Sequence, residues 1–346
     1  MRILDTTIRD GSYAVDFKFS CKDVKDLVAR SQRIGIEYIE IGHGKGLNAS
    51  SALHGYALQT DEEYMKIAKE TANHAKIGFF CIPGIARLED IKAAKENEID
   101  FIRIGVTTND FDKAIPYIHM CVKEGIEPFI NFMKTYTVTP DEFAHKAKEA
   151  TAEGVKCAYI VDSAGSMDVE QINYYIESTR SITDIKLGFH GHNNIGLAVA
   201  NTLFCISKGI DFVDCSFQGL GRSLGNASLE QVVMVMEKRG YKTGFDIPRV
   251  LEYGYAGLRN IVRERLVNPL DYMCGYAGFH SSFLKDIYKC CSKVEVDPLR
   301  LILAYSKINQ TSMDYEELYK VAATLPKDYA DNPYGFGDYF GDLINE

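Results

Sequence analysis

Eight short apolar runs recur along the first two thirds of this 346-residue chain, each followed by amphipathic sequence. They lie at Ile3–Thr6, Tyr38–Ile41, Ile77–Cys81, Phe101–Ile104, Glu127–Phe132, Cys157–Val161, Ile185–Phe189 and Phe212–Ser216. Runs of this length read as strands. The intervening stretches have helical spacing, as at Lys22–Ile34, Asp61–His74, Leu88–Asn97, Phe111–Glu124, Pro140–Gly154 and Val169–Ser181. Gly35, Gly125, Gly154 and Gly209 fall where a helix ends on glycine. Asp141, just after Pro140, suits the positive end of a helix dipole.

Eight strand–helix units predict a TIM (β/α)8 barrel over residues 1–244. A doubly wound open sheet is the rival. It would usually carry a nucleotide-binding glycine loop after the first strand, where this chain has Arg9-Asp10-Gly11-Ser12. From Phe245 the pattern turns mostly helical, at Leu251–Val262, Phe283–Val294, Pro298–Ile308 and Tyr315–Ala323. Residues 245–346 are therefore expected to form a helical C-terminal domain, covering the barrel mouth. The Gly-, Asp- and aromatic-rich segment Asp331–Glu346 receives no assignment.

Composition bounds the function. With 46% apolar and 25% charged residues the chain is not disordered. No apolar run approaches the ~20 residues of a membrane helix, and no secretory signal opens the chain. A net charge of −9 does not favour a nucleic-acid partner. Nine cysteines, with no C-x-x-C, read as reduced and mostly buried thiols of a cytoplasmic protein.

Barrel enzymes place their chemistry at the carboxyl ends of the strands. The residues there are Arg9 and Asp10 after the first strand, Glu40 and His43 at the second, and Asp162 and Ser163 at the sixth. The seventh ends in His190-Gly191-His192-Asn193-Asn194, and the eighth leads into Gly219–Asn226. Two residues apart on an extended chain, His190 and His192 point to one face. They either share a divalent metal or stand as two hydrogen-bonded polar histidines. Asp10 is the natural third ligand, because the first strand neighbours the eighth in a closed barrel. Arg9 beside a metal can bind a carboxylate and neutralise a developing oxyanion; alone it would read as half of a surface ion pair. The Gly219–Asn226 stretch either cradles an anion through backbone N–H groups or simply turns tightly.

Together these motifs resemble the DRE-TIM metallolyase family, which includes 3-hydroxy-3-methylglutaryl-CoA lyase, isopropylmalate synthase and 4-hydroxy-2-oxovalerate aldolase. The carriers are Asp5-Thr6-Thr7-Ile8-Arg9-Asp10-Gly11, the His190–Asn194 segment, and Gly219-Leu220-Gly221 with Gly225-Asn226. The aldolase branch is most similar, through Ile39–Leu47 with Ser50-Ser51, Pro83-Gly84-Ile85, Asp162–Gly165, Gly275-Tyr276-Ala277-Gly278 and Ser281–Leu284.

The resemblance implies a carbon–carbon lyase: a metal-dependent aldolase splitting a 4-hydroxy-2-oxo acid into pyruvate or a related 2-oxo acid and an aldehyde, through an enolate. Asp10, His190 and His192 would ligate Mn²⁺ or Mg²⁺, with Asn226 as a further contributor. Arg9 would stabilise the enolate oxygen, and Ser163 and Tyr276 would contact substrate. The aldolase histidine base after R-D-G is Tyr13 here, and the tyrosine of the C-terminal motif is His280. Imidazole suits a base near neutral pH better than phenol, so His280 is expected to be the base, with Tyr13 orienting the hydroxyl or passing a proton. A homodimer is a family-level expectation. The family's glycine-rich segment is missing around Ile308–Met313, which argues against the usual acylating aldehyde dehydrogenase partner. The alternatives are an acyl-CoA/2-oxo acid synthase and a non-catalytic metal-binding scaffold.

Overall fold

The computed structural model describes residues 1–262, 266–310, 312–327 and 337–340. Most of the unassigned Asp331–Glu346 segment therefore lies outside the described residues. The chain divides into two compact units, Met1–Val232 and Val233–Glu346.

The first unit is a closed barrel of parallel strands in sequence order. They are β1 (Arg2–Asp5), β2 (Tyr38–Ile41), β3 (Lys76–Cys81), β4 (Phe101–Thr107), β5 (Glu127–Met133), β6 (Cys157–Asp162), β7 (Lys186–Gly191) and β8 (Phe212–Cys215). Arg2 to Asp5 pair with Phe212 to Cys215, which closes the cylinder. Seven helices alternate with them: α1 (Cys21–Arg33), α2 (Asp61–Thr71), α3 (Leu88–Glu96), α4 (Ile115–Glu124), α5 (Pro140–Ala152), α6 (Val169–Ile182) and α7 (Ala198–Ser207). Helix α8 (Leu229–Lys238) follows β8.

Local chemistry sets the helix ends. Ser20, Thr60, Thr139 and Asp168 each cap a helix by accepting the N–H three residues on, and a side chain three residues on returns the bond. Gly35, Gly125, Gly154 and Gly209 all have positive φ, as expected of residues that end helices. The expected helix Phe111–Glu124 is broken at Ala114 into a 3-10 turn and α4. Pro116 lacks the N–H to continue an incoming helix and fits the first turn of a new one.

Alternate strand residues fill the barrel in layers. Leu4, Tyr38, Phe101, Phe129, Cys157, Tyr159, Val161 and Phe212 form one buried cluster. Tyr38 meets Phe212 edge-on at 5.0 Å, and Phe101 stacks on Phe129 at 5.6 Å. Two residues further along β2, β4, β5 and β8 come Glu40, Arg103, Asn131 and Asp214, all buried. The inner face thus changes from aromatic to charged within one layer, on the side of the strand carboxyl ends.

In the second unit, α9 (Ile247–Leu258), α10 (Pro269–Ala277), α11 (Leu284–Val294), α12 (Pro298–Tyr305) and α13 (Tyr315–Thr324) pack on one another, with a short α14 at Gly337–Phe340. Its buried residues include Leu251, Met273, Ile287, Leu299, Ile302, Tyr305 and Leu318. The division between the compact units falls within α8, and Lys238 Nζ near the end of α8 donates to the carbonyls of Gly275 and Tyr276 within the second unit. Among the described residues no helix is long and apolar enough to cross a membrane. None of the nine cysteines is in a disulfide; eight are buried and Cys21 is half-buried.

Candidate active site

Strand β7 runs two residues beyond its expected end, so His190 lies within it, paired across from Val161. His192 follows and forms an antiparallel bridge with Asn226. That bridge folds the loop after β8 over the end of β7. His190, His192 and Asp10 are all buried, and one ligand atom from each lies within 4.8 Å of the others. The two imidazole rings stand at 89° with centroids 5.0 Å apart.

The site has the polarity a cation needs. Asp10 Oδ2 and Asn226 Oδ1 are buried acceptors without a donor. The Asn226 amide nitrogen is already used, on Thr6 Oγ1 and the Leu220 carbonyl. Buried acceptors normally find a partner, and a divalent cation would supply one for both. A Cβ at Gly221 would come within 2.6 Å of the Asn226 amide, so only glycine leaves that amide its place. Burial disfavours the Asp10 carboxylate, but Arg9 and the two imidazoles outweigh it and hold its carboxyl well below the usual range. Burial also lowers the His192 pKa, against the pull of Asp10. Both shifts favour the forms that bind metal, carboxylate and neutral imidazole.

A buried network orients these groups. His190 Nδ1 donates to Asp214 Oδ2 at 2.8 Å, which leaves Nε2 as the free lone pair. Arg103 donates to the same Asp214 oxygen, to Glu40 Oε2 at 3.0 Å and to Asn131 Oδ1 at 3.2 Å, and its guanidinium lies 4.2 Å from the Tyr159 ring centroid. Glu40 Oε2 also accepts from Arg9 Nε at 2.6 Å, and Arg9 Nη1 reaches Asp10 Oδ1 at 2.6 Å. A continuous chain therefore runs from His190 through Asp214, Arg103, Glu40 and Arg9 to Asp10. Arg9 is buried within it, where the sequence alone would read a surface ion pair.

Sequence reading missed Arg103, Asn131 and Asp214. The signal was present: Tyr38-Ile39-Glu40, Phe101-Ile102-Arg103 and Phe212-Val213-Asp214 each put a charge two residues after an inward aromatic. Three such charges on strands of one barrel share its interior and must pair there.

A cavity of about 300 Å³ opens above this network, and Arg9, Asp10, Tyr13, Ser163, His190 and His192 all line it. Lys45, Asn131 and Arg222 line it too. Tyr13 is half-buried, and its phenol pKa is raised by burial and then by Asp10. Its ring fills the space a Cβ at Gly44 would need. Ser163 Oγ accepts from Lys134 N–H at 2.9 Å. Asp162 is turned to its own loop, accepting from Ser166 and Met167 N–H. His43 stacks on Phe17 at 3.9 Å, and burial lowers its pKa to about 4.

In the helical unit, Tyr276 lies in α10 and is half-buried, and burial raises its phenol pKa. His280 is exposed and caps the 3-10 turn Ser281–Phe283, its Nδ1 accepting from Ser282 N–H at 3.2 Å. With Nδ1 accepting, the neutral ring carries its proton on Nε2.

The fold and the clustered ligands agree with what the chain is similar to. Residues 1–254 match the HMGL-like family, and the chain belongs to it. It is 38% identical over 280 residues to an oxaloacetate decarboxylase of Mycobacterium tuberculosis, covering 81% of this chain and 83% of that one. It is 32% identical over 303 residues to a 4-hydroxy-2-oxovalerate aldolase of Pelotomaculum thermopropionicum, covering 88% and 89%. The crystal structure of the HMG-CoA lyase from Brucella melitensis superposes with a TM-score of 0.65 at 19% identity, over 76% of this chain and 98% of that one, and shows the shared fold.

Proposed function

We propose that this chain is a divalent-metal-dependent carbon–carbon lyase that cleaves 4-hydroxy-2-oxo acids to a 2-oxo acid such as pyruvate and an aldehyde. The observation that carries the reading is the buried Asp10–His190–His192 cluster with Arg9 bonded to Asp10, at the floor of an open cavity. Relatives named as aldolases along most of the chain support it. No observation favours the acyl-CoA synthase alternative.

Asp10, His190 and His192 would hold the metal, Mn²⁺ or Mg²⁺, with Asn226 Oδ1 turned to it. Bound there, a divalent cation would supply Lewis-acid polarisation of a 2-oxo acid's keto group. Arg9 places a fixed positive charge beside the enolate oxygen, and Glu40 and Asp10 hold the guanidinium so that it need not reorganise. Ser163 contributes a hydroxyl at the cavity wall, and Tyr276 belongs to this proposal as a further substrate-binding residue. His280 takes the 4-hydroxyl proton and Tyr13 orients that hydroxyl. For His280 to act as base its cap on Ser282 must open, because the capped ring presents a protonated Nε2. The helical unit covering the barrel mouth belongs to this proposal, as does a homodimeric state; an acylating dehydrogenase partner does not.

A second reading is decarboxylation of a 2-oxo acid that carries a second carboxylate on C3, such as oxaloacetate. It yields the same enolate by losing CO₂ and needs no base. One observation favours it: among the described residues the only imidazoles lining the barrel cavity are the two candidate ligands, and the one phenol there is harder to ionise than usual. The relative named oxaloacetate decarboxylase is in line with it.

The test is pyruvate release from racemic 4-hydroxy-2-oxo acids of varied chain length, beside CO₂ release from oxaloacetate, with metal stripped and Mn²⁺ or Mg²⁺ restored. Metal-dependent pyruvate from the hydroxy acids establishes the aldolase. CO₂ release alone moves the assignment to decarboxylase. H280A is expected to lose aldol cleavage and keep oxaloacetate decarboxylation; unchanged aldol turnover removes His280 from the mechanism.

A further inference from the structure

The barrel cavity holds more positive charge than a 2-oxo acid headgroup requires. Its lining includes Arg9, Lys45 and Arg222 and a single carboxylate, Asp10, in a chain whose net charge is −9. Arg9 is committed to Glu40 and Asp10. Among the described residues no carboxylate pairs with the other two, of which Lys45 is half-buried and Arg222 is exposed at the cavity wall. Lys45 Nζ sits 2.9 Å from His54 Nδ1, and an imidazole is no counter-charge for it. Arg222 has no carboxylate partner among the described residues; its guanidinium lies 5.5 Å from the centroid of the Tyr13 ring. Tyr13 in turn feels both Asp10 and Arg222. The cavity therefore runs from the metal-ligand cluster past one aromatic ring to an exposed arginine that pairs with no carboxylate of the described residues.

Between these ends the wall is apolar, with Phe80, Ile82, Ile85, Met133 and Val161. Such a wall accommodates a short carbon chain but gives an arginine no partner. Arginine presents a planar fork of donors that matches a carboxylate or phosphate. Cations focused in a cleft also raise the local concentration of an anionic ligand.

We propose that Arg222, assisted by Lys45, forms a second anion-recognition subsite, and that the preferred substrate is a 4-hydroxy-2-oxo acid whose aldehyde portion carries its own carboxylate or phosphate. This inference rests on the aldol reading and specifies its substrate class. Arg222 acts here as a specificity-determining residue: it holds the fragment that leaves as the aldehyde, and no bond to it forms or breaks.

The experiment uses the full chain with Mn²⁺ restored, in the synthetic direction, with pyruvate and matched aldehydes. One pair is 4-oxobutanoate and its amide; the other is glycolaldehyde phosphate and glycolaldehyde. The anionic member is expected to exceed its neutral partner in kcat/KM by about tenfold or more, the scale of one hydrogen-bonded charge pair. R222Q should collapse that ratio, and R222K should restore part of it. The two pairs separate carboxylate from phosphate recognition. Binding gives a readout without turnover: 2-oxoadipate should raise the Tm of the wild type more than 2-oxohexanoate does, and R222Q should erase the difference. Aldol addition with no preference for the anionic member, or a preference that survives R222Q, overturns the subsite and leaves the aldol reading standing. No addition with any aldehyde, and no metal-dependent deuterium exchange at the pyruvate methyl group, overturns both.

Discussion

Two layers of side chains fill the barrel on the same alternate strand positions, two residues apart, and opposite physics holds them. The lower layer, built on Tyr38, Phe101, Phe129 and Phe212, is an aromatic stack whose stability comes from burial and edge-to-face packing. The upper layer, Glu40, Arg103, Asn131 and Asp214, is polar and equally dry. Burying those charges costs more than their attraction returns unless every partner is in place. The lower layer stabilises the cylinder. The upper one leans on that stability and, in exchange, holds His190 and Arg9 in fixed positions. The comparison teaches that the candidate site is not a decoration of the loops: its foundations lie inside the barrel, one layer below the clustered Asp10, His190 and His192.

Breaking each layer should separate the two roles. The largest effect is expected from R103M, which strands Glu40 and Asp214 in the interior. Stability should fall by about 3–5 kcal/mol, read by urea unfolding, and Mn²⁺ affinity should fall as well. F129A should cost a similar amount, about 3–5 kcal/mol, but leave Mn²⁺ affinity near wild type in titrations of the folded protein. Equal loss of metal binding in both variants would contradict the separation of layers.

D214N sharpens the contrast. It keeps size and hydrogen-bonding capacity but weakens the acceptor that orients His190, so metal affinity should drop about 10–100-fold. Glu230 provides a smaller, pH-dependent effect at the same end of the barrel. It is buried, accepts from Gln218 N–H and Ser228 Oγ, and burial raises its pKa to about 7. Between the ordinary value of 4.5 and about 7, the unfolded chain has released this proton and the folded protein still binds it. Rising pH across that window therefore favours unfolding. The Glu230 contribution to the fall in stability should be complete above about 7, and E230Q should flatten it. T139A, remote from both layers, removes the cap of α5 and should cost about 1 kcal/mol with no change in metal binding.

The eight strands were legible because each is a short apolar run, and the barrel followed from their number and spacing. Helices α7 and α10 were harder to read because little polar contrast marks one face: Ala198–Ser207 has no charged residue and Pro269–Ala277 has one. The metal-ligand candidates were legible from the two-residue period of His190 and His192 and from the adjacency of the first and last strands. What could not be read was pairing across the barrel: Arg103 and Asp214 are 111 residues apart and meet only once the sheet closes. At His280 the residue type suggested a base, and the local sequence, followed by Ser281-Ser282, adds a cap that the base proposal requires to open.

The wiring of that buried chain also dates the site within the life of the polypeptide. Asp10 leaves the ribosome well before His190, Asp214 and Asn226, which follow it by 180 to 216 residues. None can be positioned before β8 closes against β1, and contacts this distant in sequence form late. Capture of a metal ion in the finished geometry would therefore mark completed synthesis of the barrel, and a nascent chain arrested between Phe212 and Asn226 contains all of its aromatic floor but not yet the full cradle above it.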